Sequence, residues 1–190
     1  MLVLPNGNDS SAGEAMPIEP ALIEAHIPGL RRFACSLLRG DRERADDLVQ
    51  DCLERALARW HLRRAEGDLR AWLYTILYNR FLSDQQRRKR RGAHDALTEA
   101  IESELPQIKG GRYAALEHRD LLRAFAALPE EQRSVLVLVG VEDLSYGAAA
   151  RVLGVPIGTV MSRLSRGRER LRRFLDDDGE TRGQGLRQAR

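Results

Sequence analysis

The sequence predicts an all-α protein, two small helical domains joined by a flexible linker. Three observations carry that expectation. Charged residues make up 31% of the chain and aromatics only 5%, a composition that suits packed helices better than a β-sandwich. Apolar residues recur at three- and four-residue intervals in two blocks, the spacing of helices with one buried face. Between the blocks, residues 92–112 lose that period and contain Pro106 and Gly110-Gly111, which reads as a linker. A length of 190 residues has room for two such domains.

Residues 1–19 carry Gly, Asn, Asp, Ser and Pro without periodicity and read as a disordered N-terminal extension. The first domain is placed at residues 20–91. Its first helix is marked by Leu22, Ile23, Ile27, Leu30, Phe33, Ala34, Leu37 and Leu38. Pro28-Gly29 interrupts that pattern, so the helix could begin only there. Gly40 suits a helix end and Asp41 a cap for the next helix. From Asp41 to Trp60 the apolar stripe is Ala45, Leu48, Val49, Cys52, Leu53, Ala56, Leu57 and Trp60. The opposite face is acidic near its start, with Asp46, Asp47, Gln50, Asp51 and Glu54. A loop is expected over His61 to Asp68. A third helix then runs from Leu69 to about Asp84, with Trp72, Leu73, Ile76, Leu77 and Phe81 inward and Tyr74 and Tyr78 nearer the polar side. From Asn79 to Arg91, six cations (Arg80, Arg87, Arg88, Lys89, Arg90, Arg91) face one anion, Asp84.

The second domain is placed at residues 113–175. Leu121, Leu122, Phe125 and Leu128 define a helix halted by Pro129, which also suits the first position of the next helix, ahead of Glu130 and Glu131. Val135 to Val141 is β-branched, but with no partner strand nearby it is read as helix. Two helices follow, about Ser145 to Leu153 and Gly158 to Phe174, and residues 176–190 read as a flexible tail.

Several function classes are excluded at this level. No apolar run approaches the roughly 18 residues of a membrane span, and the N-terminus has no signal-peptide pattern, so a cytoplasmic protein without membrane insertion is expected. Cys35 and Cys52 form no C-x-x-C pair and read as small core residues. The four histidines (26, 61, 94, 118) lack ligand spacing. No H-E-x-x-H, P-loop or dinucleotide motif occurs, so no metal, cofactor or catalytic residue is expected.

The last two helices have the makings of a helix-turn-helix. Ala149 is small enough for close approach, Gly154 permits the turn, and Ile157, Val160 and Leu164 are expected to pack inward. Met161, Ser162, Ser165 and Arg166 then project outward with Arg163 and Arg168 beside them, a surface suited to phosphates and base edges in the major groove. From Arg163 to Arg173 six arginines stand against one anion, Glu169.

These residues converge on a family. Asp46-Asp47-Leu48-Val49-Gln50-Asp51, with Trp72-Leu73-Tyr74-Thr75-Ile76-Leu77-Tyr78-Asn79-Arg80, resembles region 2 of bacterial sigma factors. Leu128-Pro129-Glu130-Glu131-Gln132-Arg133, Leu144-Ser145-Tyr146 and the run Gly154 to Leu164 resemble region 4. The short linker leaves no room for a region 3 domain, which is the arrangement of the extracytoplasmic-function (group 4) sigma factors of the sigma-70 family. The resemblance spans roughly Pro20 to Phe174.

The resemblance implies a transcription-initiation factor that binds core RNA polymerase, through the β′ clamp helices and the β flap, and promoter DNA. It implies core binding through Asp47, Gln50, Asp51 and Glu54. It implies −10 binding and melting through the His61 to Asp68 loop and Asn79, Arg80, Arg87 and Arg88, and −35 reading through Met161, Ser162, Arg163, Ser165, Arg166 and Arg168. An anti-sigma factor is the expected regulatory partner, and one that clamps the two domains together would suit a linker without rigidity. Met161 and Ser165 stand where many relatives carry a basic or aromatic residue, so no −35 sequence transfers. The alternatives are a helix-turn-helix regulator that never joins polymerase, which leaves the acidic stripe unexplained, and a sigma-like decoy, which has no need of the basic recognition face.

Overall fold

The computed structural model describes residues 20–63, 67–91 and 121–188. The expected N-terminal extension, the linker and the start of the second domain lie outside them. The helices are α1 (Pro20–Glu24), α2 (Ile27–Leu37), α3 (Arg42–Ala58), α4 (Leu69–Arg90), α5 (described over 121–126), α6 (Glu130–Leu136), α7 (Tyr146–Leu153) and α8 (Ile157–Gln188). A 3-10 turn, Trp60–Leu62, follows α3, and a π-helical turn, Val137–Val141, continues α6. No strand occurs among the described residues, and the all-α expectation holds.

The helix ends follow from their residues. Pro28 lies in the first turn of α2, where its missing N–H costs no helical bond. Asp41 caps α3 by accepting from the Arg44 amide at 3.1 Å, and Asp68 caps α4 from the Ala71 amide at 3.0 Å. Helix α4 runs past the expected end at Asp84, because its last turn (Arg87, Arg88, Lys89, Arg90) sets cations against the negative end of the helix dipole. Pro129 is the N-cap of α6, extended at ψ 143°, rather than its first residue. No proline follows Pro156, and α8 continues into most of the stretch expected to be a flexible tail.

Helices α2, α3 and α4 enclose Leu30, Phe33, Leu37, Leu48, Val49, Cys52, Leu73 and Leu77. In the second domain α6, α7 and α8 enclose Val135, Leu138, Ala149, Val152, Val160 and Leu164. Gly167 lets α8 close onto α6, since a Cβ there would meet Leu136 Cδ1 at 2.8 Å. Four residues of the expected apolar faces are exposed: Leu22, Leu121, Leu57, where Trp60 fills the end of the α3 stripe, and Ile157 at the start of α8.

The larger departure is that the two domains pack on each other. Helix α7 lies against α4, and α6 with its π turn lies against α2, so both cores form one continuous cluster. Tyr74 and Tyr78, expected near a polar side, are buried at 1% and 7% exposure. A tyrosine face that looks solvated within one domain is here covered by the other.

Candidate nucleic-acid interface

The helix-turn-helix is built by local chemistry. Ser145 Oγ accepts from the Ala148 amide at 3.1 Å and starts α7. Gly154 ends it at φ 64°, a left-handed conformation that a β-carbon would strain. Val155 donates back to the Ala150 carbonyl at 3.1 Å, and Pro156 opens the turn into α8. Ala149, fully buried, lets α8 approach, while Val160 and Leu164 hold it from beneath.

This anchoring turns the other face of α8 outward. Met161, Ser165, Arg166 and Arg168 are exposed. Ser162 is half-buried and donates to the Thr159 carbonyl at 3.1 Å. Arg163 is half-buried too, and its charge acts on the Tyr78 hydroxyl of α4 across the domain boundary. Arg172 and Arg173 both pair with Glu169 at 3.1 Å. The exposed set is thus a thioether, a hydroxyl and two cations on a helix seated by its own domain, a face shaped to enter a groove.

In the first domain Asp47, Gln50 and Glu54 lie exposed along α3, with Gln50 donating to Glu54 at 3.1 Å. Asp51 differs: it accepts from Arg80 Nε of α4 at 2.6 Å, and Arg80 also pairs with Asp84. One residue expected on the polymerase face and one expected on DNA are therefore joined. Both line a groove of about 480 Å³ with Arg44, Asp47, Arg87 and Arg88. Asn79 is exposed and Arg87 is exposed one helical stretch further on. Just before the expected loop Trp60 packs edge-on to Trp72 at 6.2 Å, and from within the loop the Arg63 guanidinium lies 4.8 Å over the Trp60 ring. Residues 64–66 of that loop lie outside the described residues.

Sequence reasoning missed the charged groups between the domains. Glu142, 1% exposed just after the π turn, accepts from Arg32 of α2 at 2.8 Å and from Arg70 and Tyr74 of α4 at 3.0 and 2.8 Å. Burial alone would push its carboxyl up. Hydrogen bonds from Arg32 and Tyr74, with the Arg32 charge, more than reverse this and hold it below the usual carboxylate range. Its own burial, and after it the bond to Glu142, push the Tyr74 hydroxyl up. Arg133, 2% exposed, donates across the boundary to the Ser36 carbonyl of α2 and within its domain to those of Leu128 at 2.9 Å and Ala126 at 3.4 Å. Burial lowers its pKa, with Arg39 adding to the effect. Arg133 stands in the run Leu128 to Arg133 quoted above, but nothing in the local sequence marks its burial or that of Glu142, since an acid after an apolar run and an arginine in a polar helix both read as solvated.

Comparison with known proteins agrees with this geometry domain by domain. Residues 23–78 match the family described as the Sigma2 domain of PhyR, and residues 118–171 match Sigma-70, region 4. The chain is 41% identical over 167 residues to the ECF RNA polymerase sigma factor EcfG of Rhodopseudomonas palustris, covering 86% of this chain and 90% of that one. Among solved structures it resembles the sigma factor RpoE in complex with the anti-sigma factor NepR from Bartonella quintana. That likeness has a TM-score of 0.72 at 33% identity and covers 83% of this chain and 96% of that one. It also resembles CnrH in complex with the cytosolic domain of CnrY, with a TM-score of 0.60 at 26% identity, over 84% and 88% of the two chains.

Proposed function

Because this chain belongs to the extracytoplasmic-function RNA polymerase sigma factors, we propose a division of its surfaces among polymerase, the −10 element and the −35 element. The protein joins core RNA polymerase and directs promoter-specific initiation; RNA synthesis itself is the work of the polymerase. The α3 stripe of Asp47, Gln50, Asp51 and Glu54 takes the clamp helices of the largest subunit. Asn79, with Arg80, Arg87 and Arg88, takes the opened −10 strand. Met161, Ser162, Arg163, Ser165, Arg166 and Arg168 take the −35 duplex. An anti-sigma factor is its regulatory partner, as in the similar solved complex of RpoE with NepR. No described helix is long and apolar enough to cross a membrane, and its work belongs where the polymerase is, in the bacterial cytoplasm.

The observation that carries the −35 assignment is the seating of α8. Val160 and Leu164 face the core while Met161, Ser165, Arg166 and Arg168 face out. Arginine on such a face reads guanine or holds phosphate. Run-off transcription with core polymerase tests the function as a whole, and discrete transcripts sharing two spaced upstream elements are expected. Arg166→Ala should weaken transcription from a −35-dependent promoter while leaving core binding unchanged; unaltered transcription removes Arg166 from the interface. Reversing Asp47 and Asp51 to Lys should lower core affinity in a titration, and equal affinity takes them off the polymerase surface. Promoter affinity should fall steeply with salt, as phosphate contacts release counterions.

A further inference from the structure

The two reading surfaces lie too close together in this structure to be used at once. Arg163 on the recognition helix is within electrostatic reach of Tyr78, the neighbour of Asn79 on α4. Helix α7 of the helix-turn-helix rests on α4 itself. Promoter elements about 25 base pairs apart stand roughly 85 Å apart along B-form DNA, at 3.4 Å per base pair. The chain between Arg91 and Leu121 can span such a gap, since about 30 residues reach roughly 100 Å when extended. Promoter engagement therefore requires the domains to separate.

Between them sits a charged cluster that fixes how they close. Glu142 of the second domain receives three hydrogen bonds, all from the first: Arg32 on one oxygen, Arg70 and Tyr74 on the other. Gly29 makes room for it, because a Cβ there would lie 2.6 Å from Glu142 Oε2. Arg133 to the Ser36 carbonyl and Gln85 to Glu130 at 2.7 Å add further bonds across the boundary. A carboxylate that gives up such partners must find water or other cations, so the closed state is specified in geometry as well as covered apolar area.

We propose that Glu142, with Arg32, Arg70 and Tyr74, is a latch that holds this sigma factor closed by its own contacts, and that polymerase and promoter must open it. The proposal rests on the sigma reading above, and concerns how that activity is held in check. A partner that binds the closed arrangement then gains a preformed surface and need not bring the domains together. The similar structure with a bound anti-sigma factor matches over 83% of this chain, a span longer than either domain. Opening by core polymerase must overcome the latch, which lowers the apparent affinity by the fraction of molecules that are open.

The test compares the full-length wild type with Glu142→Gln and, from the other side of the boundary, with Arg32→Ala/Arg70→Ala. Small-angle scattering reads the radius of gyration, and a titration reads affinity for core polymerase. Both variants should be more expanded than the wild type and bind core about tenfold more tightly. The double variant removes partly exposed side chains of the first domain, and it decides the matter where Glu142→Gln fails to fold. Folded variants with unchanged radius and unchanged core affinity overturn the latch. Absence of run-off transcripts from wild type and variants alike would instead sink the sigma reading, and the scattering comparison would still report on the latch.

Discussion

Two charged clusters in this molecule use the same groups to different ends. Around Arg80, two carboxylates hold one guanidinium in a solvent-lined groove within the first domain, with Asp51 and Asp84 both more than a third exposed. Around Glu142, two guanidinium groups and a phenol hold one carboxylate that is almost wholly buried between domains. The exposed cluster can exchange partners cheaply, because water replaces whatever is lost. The buried one cannot, because a charge left alone there has no solvent to turn to. A surface that must be handed to polymerase or DNA suits the first kind, and a joint between domains suits the second.

The sharpest test of the buried side is Arg133, whose guanidinium satisfies carbonyls of both domains. Arg133→Ala leaves those acceptors facing a cavity, and a loss of about 3–5 kcal/mol is expected in chemical denaturation. Arg133→Met keeps the volume and isolates the hydrogen bonds. If Met restores most of the stability, packing rather than polar bonding holds this joint.

Gly29→Ala should come next, at about 1–3 kcal/mol, because its Cβ would press on Glu142 Oε2 and the Tyr74 hydroxyl. Tyr74→Phe in the same chain removes one of those obstacles, so the double variant should lose less than the two single losses combined. Strict additivity in thermal or denaturant unfolding would place the Gly29 effect elsewhere.

A third effect is read through pH. Glu142 is held ionised by Arg32 on α2 and by Arg70 and Tyr74 on α4, so its carboxyl titrates below the usual range. Its contribution is present above the ordinary carboxylate pKa and is lost as pH falls through the depressed value. The wild type should therefore expand on acidification over a range where Glu142→Gln shows no matching transition. Identical acid profiles by scattering would mean that other carboxylates dominate the closure.

The sequence made some of this legible and hid the rest for one physical reason. The cap at Asp41 and the turn at Gly154 act within a few residues, so their signals are local and the structure keeps them. Val160 and Leu164 answer to helical period and are buried as expected, while Met161, Ser165 and Arg166 are exposed. Tyr74 and Tyr78 fail that reasoning because their covering surface comes from the other domain. Glu142 and Arg32 are separated by 110 positions, and no pattern within either segment records their meeting. Local rules locate the elements and the outward face of α8; long-range pairing decides which polar faces stay wet.

The smallest effect belongs to the exposed cluster, and it carries functional information. A double-mutant cycle on Asp51→Asn and Arg80→Ala should give a coupling of about 1 kcal/mol in stability, because Asp51 is more than a third exposed even though Arg80 is only 16% exposed. The functional readout separates the roles. If the clamp helices of polymerase take Asp51, as proposed above, Arg80 loses one of its two carboxylates and becomes freer to hold a −10 phosphate. Asp51→Asn should then weaken core binding yet raise the affinity of the free protein for single-stranded −10 DNA, and Arg80→Ala should abolish that gain. If Asp51→Asn leaves DNA affinity unchanged, Asp84 alone is enough to hold Arg80, and the groove is structural rather than a link between the polymerase and promoter surfaces.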